Sequence, residues 1–276
     1  MTRQKRKILI GDVIGDILAV LIFIVPFYFM FVTSLKSKKE ANLLRITFPA
    51  HIHWENFRKV IQADNYMLIR AFKNSALITL FSVILLIVVG SMAGYVIQRR
   101  NDKTVKIFST LFMLGLMIPA SILPTIYLLQ TMHIYKTLFS IVMIEVALST
   151  PFTIMLYRGF MSSIPVELEE AARLDGCTRL QVFTRVVFPL LKPINATVII
   201  LNAVSIFNDF TNPLYFFPGE KNATVQLTLY NYMGVFSSEY NLMFADVVLI
   251  TIPMLVLFLI FNKKIIAGMV AGSVKA

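Results

Sequence analysis

The chain has 276 residues, 57% of them hydrophobic and only 15% charged, where a soluble domain of this length carries about 25% charged residues. Its net charge of +11 sits mostly at the borders of apolar runs, which argues against a nucleic-acid partner and for a lipid bilayer. The single Cys177 excludes an intramolecular disulfide and leaves the compartment open.

A helix needs about 20 mostly apolar residues to cross about 30 Å of hydrocarbon. Six stretches satisfy this, at roughly 12–33, 72–97, 107–130, 138–159, 190–214 and 243–262. Each is expected to be helical, because lipid offers backbone groups no hydrogen-bond partners. The expected fold class is therefore an all-α polytopic membrane protein with six transmembrane helices. The first run follows a basic head (Arg3, Lys5, Arg6, Lys7), but it is too long for a signal peptide and no small-x-small cleavage site follows. It is expected to stay as a helix, with Gly11 and Gly15 as a close-packing pair.

Basic connections place the two termini on the cytoplasmic side. The 98–106 connection carries Arg99, Arg100, Lys103 and Lys106, and the 158–189 connection carries Arg158, Arg173, Arg179 and Arg185. Short basic connections stay inside. The 34–71 loop is also basic yet falls outside on this count, and long loops translocate with less regard to charge. That loop holds His51, His53 and Trp54. The histidines lack further ligands at familiar spacing, so no metal site is expected, and Trp54 is read as an interfacial anchor.

The second span opens on Phe72-x-Asn74-Ser75 and carries Gly90 and Gly94, a small-xxx-small pair that permits close helix contact. The third is punctuated by Pro119 and Pro124, each of which removes a helical hydrogen bond and kinks or breaks the helix. The fourth contains Glu145, a carboxyl group in a span, where a central charge costs about 2.5–3.5 kcal/mol on insertion scales.

Between spans four and five lies the most polar segment among the spans. Pro165 suits a first helical turn, and Glu167, Glu169 and Glu170 fall where the helix dipole favours negative charge. Leu168, Ala171, Ala172 and Leu174 are expected on one low-profile face. Asp175-Gly176 ends the helix, glycine being the usual left-handed stop. Thr178-x-x-Gln181 then forms a capping box that starts the next helix, and Pro189 leads into span five. Three glutamates beside two alanines suit a protein groove better than an anionic lipid surface, which favours basic residues beside bulky hydrophobes. Small side chains admit close approach, and a glutamate offers charge-assisted hydrogen bonds to a partner arginine.

Span five carries Asn195, Asn202 and Asp209 at intervals of seven, with Ser205 and Asn208 beside them. This spacing holds them near one helical face. The stripe fits either a hydrated pathway for a hydroxyl-rich solute or hydrogen bonding between packed helices. Glu145, Asn202, Ser205, Asn208 and Asp209 are the candidate pathway residues.

The string Glu170-Ala171-Ala172-x-x-Asp175-Gly176, with Phe188-Pro189 beyond it, resembles the EAA signature of permease subunits of ABC importers. It falls two spans before the C-terminus, as that signature does. Phe72-x-Asn74-Ser75 is similar to the start of the transmembrane core in carbohydrate permeases, and Asn208-Asp209-Phe210 and the tail from Gly268 to Lys275 are similar to the smaller, six-span subunit of the maltose-type pair. Ser273 and Ala276 depart slightly from that branch's tail.

The resemblance implies a type I importer fold forming one permease domain over 1–276. Residues 1–70 are then the first span and external loop, 71–262 the core, 163–189 the cytoplasmic coupling loop and 263–276 the cytoplasmic tail. It implies a bacterial inner-membrane subunit that pairs with a second, homologous permease subunit and two ATPase subunits. An extracellular solute-binding protein would deliver the substrate, a sugar or oligosaccharide. Glu167, Glu170, Ala171, Ala172, Asp175, Gly176 and Pro189 become the ATPase-coupling residues, with Glu170 near an ATPase arginine. The tail would reach the ATPase interface, and residues 216–241 would probe the binding protein. ATP and Mg would be bound by the partner ATPase and no cofactor or metal by this chain. The chain carries no G-x-x-x-x-G-K-[ST] phosphate loop.

Other classes fit less of the sequence. A permease for a non-sugar solute would share the EAA signature and the spans but not the features similar to the carbohydrate branch. An ion-coupled secondary transporter would want paired midplane charges and inverted repeats, where Glu145 stands as the one central candidate. An intramembrane enzyme would need a catalytic constellation, yet His51, His53 and His133 all fall in external segments.

Overall fold

A computed structural model describes residues 3–234 and 238–273, with the backbone course alone at 3–14, 17 and 261–273. Among the described residues the structure is helical, with an isolated bridge between Met233 and Ser238 and no strand. It divides into two compact units, residues 1–69 with 228–252 and residues 70–227 with 253–276.

In the first unit the helix Arg3–Ser34 ends in a loop that is held by side-chain hydrogen bonds. Asn56 is buried and donates through Nδ2 to the carbonyls of Ser34 at 2.8 Å and Lys36 at 2.9 Å. Its Oδ1 accepts from Asn241 Nδ2 at 3.1 Å. One asparagine thus satisfies groups from three segments that would be costly to bury unpaired. Lys36, also buried, donates to the carbonyl of Arg45 at 2.6 Å. Ser37 and Glu40 form a capping box around the short helix Lys38–Ala41.

His53 Nδ1 lies 2.6 Å from Glu55 Oε1 at the start of the next helix, and this bond holds the Glu55 carboxyl below the usual carboxylate range. Trp54 is exposed and leans on the rings of Phe31 and Phe57, with centroids 6.4 and 6.0 Å away. That placement suits an interfacial anchor.

The helix Glu55–Arg99 is interrupted at Ala63–Tyr66, where Asp64, Asn65 and Tyr66 take φ of 46°, 53° and 60°. Three successive left-handed residues are unfavourable by roughly 1–2 kcal/mol each. Asp64 Oδ2 accepts from Asn231 Nδ2 at 3.3 Å beside this turn.

The second unit is built around the helix Leu138–Met161, which packs against the helix Lys192–Phe207 and the upper part of Glu55–Arg99. A Cβ added to Gly90 would lie 2.6 Å from Thr153 Cγ2, and one added to Gly94 would lie 2.8 Å from Tyr157 Cβ. The glycine pair therefore does what its spacing predicts, letting two helices approach to backbone contact. Asn74, at the head of the second predicted span, donates to the carbonyls of Lys221 at 3.0 Å and Ala223 at 2.9 Å. Ser75 Oγ accepts from the Val225 amide at 3.1 Å. The Asn74-Ser75 motif pins a loop.

Among the described residues, three helices are long and apolar enough to cross a membrane, namely Glu55–Arg99, Leu138–Met161 and Tyr240–Ile260, the last within a helix that runs on to Ser273. A fourth crossing is available if Arg179–Leu190 and Lys192–Phe207, bent by 75° at Leu191, act together. Three predicted spans therefore differ from expectation: of the first, Leu18–Ser34 is a shorter apolar stretch among the described residues, and two others are broken. The stretch 107–130 is divided into Lys103–Gly115 and Ile122–Thr131, with Pro119 in the gap. Pro124 breaks nothing, because it stands in the first turn of the second helix, where amide donors have no partner within the helix. The stretch 190–214 carries its helix only to Phe207, and the buried Pro213 belongs to a separate short helix, Thr211–Phe216.

Candidate functional site

The segment between Met161 and Lys192 carries the polar helix and turn of the expected coupling loop, here termed the handle. Its first helix runs Glu167–Leu174, so Pro165 lies two residues before it rather than in its first turn, and Val166 is the N-cap. Gly176 has φ of 84° with nothing within 4 Å of an added Cβ. Its glycine is thus required by backbone conformation and not by crowding. The capping box is formed as read: the Thr178 amide donates to Gln181 Oε1 at 2.8 Å and the Gln181 amide to Thr178 Oγ1 at 3.3 Å.

Beyond it Val182–Val187 is a π-helical turn, in which the Phe188 amide reaches back to the Phe183 carbonyl. Pro189 follows directly, and its missing N–H removes the donor that an unbroken α-helix would offer there.

The handle helix has two unlike faces. Glu167, Glu170, Ala171 and Leu174, spaced i, i+3, i+4 and i+7, are all exposed, and Leu174 is 90% exposed. Glu169 and Ala172 are buried. This corrects the expected single apolar face, because Ala172 turns inward while Leu168, Ala171 and Leu174 stay in the open.

Glu169 does most to hold the inner face. Its Oε1 accepts from Arg99 Nε at 2.7 Å and its Oε2 from the Tyr95 hydroxyl at 2.7 Å. Arg173 Nη2 lies 3.7 Å from the same carboxylate. Arg99 also donates through Nη2 to the Ile164 carbonyl at 2.9 Å. The Phe183 ring covers Tyr95 at 5.3 Å and meets Phe188 at 6.0 Å. The carboxylate is 1% exposed, and a buried ion pair with both ends satisfied loses about 3–5 kcal/mol when one partner is removed. The outer face is thereby displayed on a helix fixed to the end of Glu55–Arg99. Sequence reasoning did not separate Glu169 from its neighbours, nor mark Tyr95 or Arg99 as its partners. The available signal was helical spacing, since three glutamates at 167, 169 and 170 cannot share one face.

The expected stripe of Asn195, Asn202 and Asp209 is not one helical face. Asn202 is buried and donates to Thr153 Oγ1 at 3.3 Å and the Val198 carbonyl at 2.9 Å. Asn195 Oδ1 accepts from the Tyr157 hydroxyl at 2.7 Å. Both asparagines thus bond to the neighbouring helix, and Asp209 lies past the helix end, so the seven-residue spacing does not place it with them. Asp209 Oδ1 accepts from the amides of Thr211 at 2.8 Å and Asn212 at 3.4 Å, at the start of Thr211–Phe216.

Glu145 is buried beside Asp209 and accepts from Asn212 Nδ2 at 3.2 Å. Asn208 is exposed, with Oδ1 bonded to Gln226 Nε2 at 2.9 Å, and Ser205 is exposed on the same helix as Asn202. The structure thus joins Glu145 to Asp209 through a residue, Asn212, that the sequence did not single out. In the loop 216–241, residues 235–237 lie outside the described residues, as do residues 274–276 and the side chains of the tail from 263.

The fold is similar to that of a bacterial ABC transporter involved in the import of the acidic polysaccharide alginate, with a TM-score of 0.83 and 20% identity. That likeness covers 95% of this chain and 98% of the other. Residues 86–270 match the family model described as the binding-protein-dependent transport system inner membrane component. The chain belongs to that family and is a membrane protein.

Among its relatives is the melibiose/raffinose/stachyose import permease protein MelC of Bacillus subtilis, 37% identical over 254 residues and covering 91% of each chain. Another is the diacetylchitobiose uptake system permease protein DasC of Streptomyces coelicolor, 30% identical over 276 residues, covering 98% of this chain and 99% of the relative.

Proposed function

We propose that the chain is the permease subunit of a binding-protein-dependent ABC importer and forms half of a pathway for a sugar or oligosaccharide. In this reading six crossings, two of them built from broken helices, make one permease domain with both termini in the cytoplasm. A second homologous permease subunit completes the pathway. Two ATPase subunits bind ATP and Mg, and an extracellular solute-binding protein delivers the sugar. The chain itself has no catalytic role. The names of relatives that import melibiose-type sugars and diacetylchitobiose support the cargo class.

The single observation that carries the coupling role is the exposed face of Glu167, Glu170, Ala171 and Leu174 on a helix whose opposite face is tied down by Glu169. Alanine at its centre admits close approach, and Glu170 offers a charge-assisted bond to an ATPase arginine. Gly176 and Asp175 set the turn through which motion of this helix reaches Pro189 and the spans beyond.

The test is uptake of labelled raffinose in cells whose own copy is replaced. Glu170→Lys is expected to abolish uptake while the protein remains in the membrane at normal level. Undiminished raffinose uptake by that variant contradicts the coupling role.

A further inference from the structure

Beside the handle lies a cavity of about 750 Å³ with an unusual lining: Arg99, Arg100, Arg173 and Arg179, together with Tyr95 and Thr178. Two carboxylates answer these four guanidinium groups. Glu169 takes Arg99 and lies near Arg173, and Asp102 takes Arg100 at 3.0 and 3.3 Å. Two positive charges are left over, and no carboxylate lies in ion-pair reach of Arg179 among the described residues. Guanidinium groups converging on one space suit a phosphate, which accepts paired N–H donors.

A second, apolar groove of about 430 Å³ begins where the first cavity ends. Val96 lines both. Met92, Val105, Phe108 and Phe112 continue the groove between Glu55–Arg99 and Lys103–Gly115. Arg99 and Arg100 close a long apolar helix, so the junction of basic cavity and apolar groove stands where hydrocarbon gives way to head groups. Neither a free anion nor an uncharged lipid matches both halves.

We propose that the two spaces form one site for an anionic glycerophospholipid, its phosphate among Arg100, Arg173 and Arg179 and one acyl chain along Val96 and Phe108. The site requires only that the chain lies in a membrane, and it stands apart from the coupling role of the exposed handle face. A bound lipid would bridge the end of one apolar helix to the turn after Gly176.

The full-length protein, purified with co-expressed partners, is incubated with dioleoyl phosphatidylglycerol or dioleoyl phosphatidylcholine, and retained lipid is counted by native mass spectrometry. Phosphatidylglycerol is expected to be retained over phosphatidylcholine. Arg100→Gln with Arg179→Gln should lower its retention by roughly tenfold or more, at about 1 kcal/mol per basic residue near a head group. Val96→Trp, which blocks the junction and keeps every arginine, should lower it as well. Equal retention of the two lipids overturns the proposal, as does unchanged retention in either variant. Displacement of the lipid by an equal concentration of glycerol phosphate would reassign the site to a free phosphate and also overturns it.

Discussion

Glu169 and Glu170 are neighbours in the chain and opposite in circumstance. Glu169 is buried against Arg99 and Tyr95, whereas Glu170 is exposed on the outer face. Glu169→Ala is expected to lower stability by about 3–5 kcal/mol, because Arg99 keeps a charge with no partner. Combining it with Arg99→Leu should recover part of that loss, since no uncompensated charge then stays buried. Thermal unfolding of the two purified variants tests this, and a single variant as stable as the parent contradicts the clasp.

Gly176, the Thr178–Gln181 box and the end of the helix at Asp175 were all legible from sequence, because caps and left-handed stops depend on residues within a turn of one another. The inward choice of Glu169 was not. Its partners lie 70 and 74 residues away in the chain, and local spacing states only that one of the glutamates must turn aside.

Among the helices, apolar length was readable and continuity was not. The runs at 72–97 and 138–159 lie within single helices, while 107–130 is parted at Leu116–Ser121 and 190–214 is bent at Leu191 and ends at Phe207. Hydropathy counts apolar residues and is blind to the backbone path. Pro119 marked one break, but Pro124 carried the same letter without the same effect, because position within a helix decides what proline removes. The Asn195, Asn202, Asp209 stripe failed for a related reason, as a seven-residue rule holds only while the helix lasts.

Gly94 was read correctly because small-xxx-small spacing has a direct steric meaning. Gly94→Leu would place a Cβ 2.8 Å from Tyr157 Cβ and 3.4 Å from the Arg158 amide. It is expected to reduce the yield of folded protein severalfold, since overpacking a close contact costs about 1–3 kcal/mol or more. Comparison of folded yield with Gly159→Leu, where an added Cβ meets nothing, checks that the effect is local. Equal yields contradict it.

For the whole molecule, family membership places the chain in a membrane transport system, and the proposed coupling role makes the handle the point where force enters it. The helix Glu167–Leu174 is tied to the end of Glu55–Arg99 on one side and leads through Gly176 to the bent pair 179–207 on the other, and under that proposal it would move helices on both sides together. The central claim is that the 167, 170, 171, 174 face meets the ATPase and the 169, 172 face does not. The most direct measurement is disulfide cross-linking to single cysteines on the co-purified ATPase, with Cys177→Ser as background and cysteine placed at Ala171 or Ala172. Ala171→Cys is predicted to cross-link efficiently and Ala172→Cys, turned inward, to cross-link little. Equal cross-linking at both positions, or none at Ala171→Cys, would contradict the account.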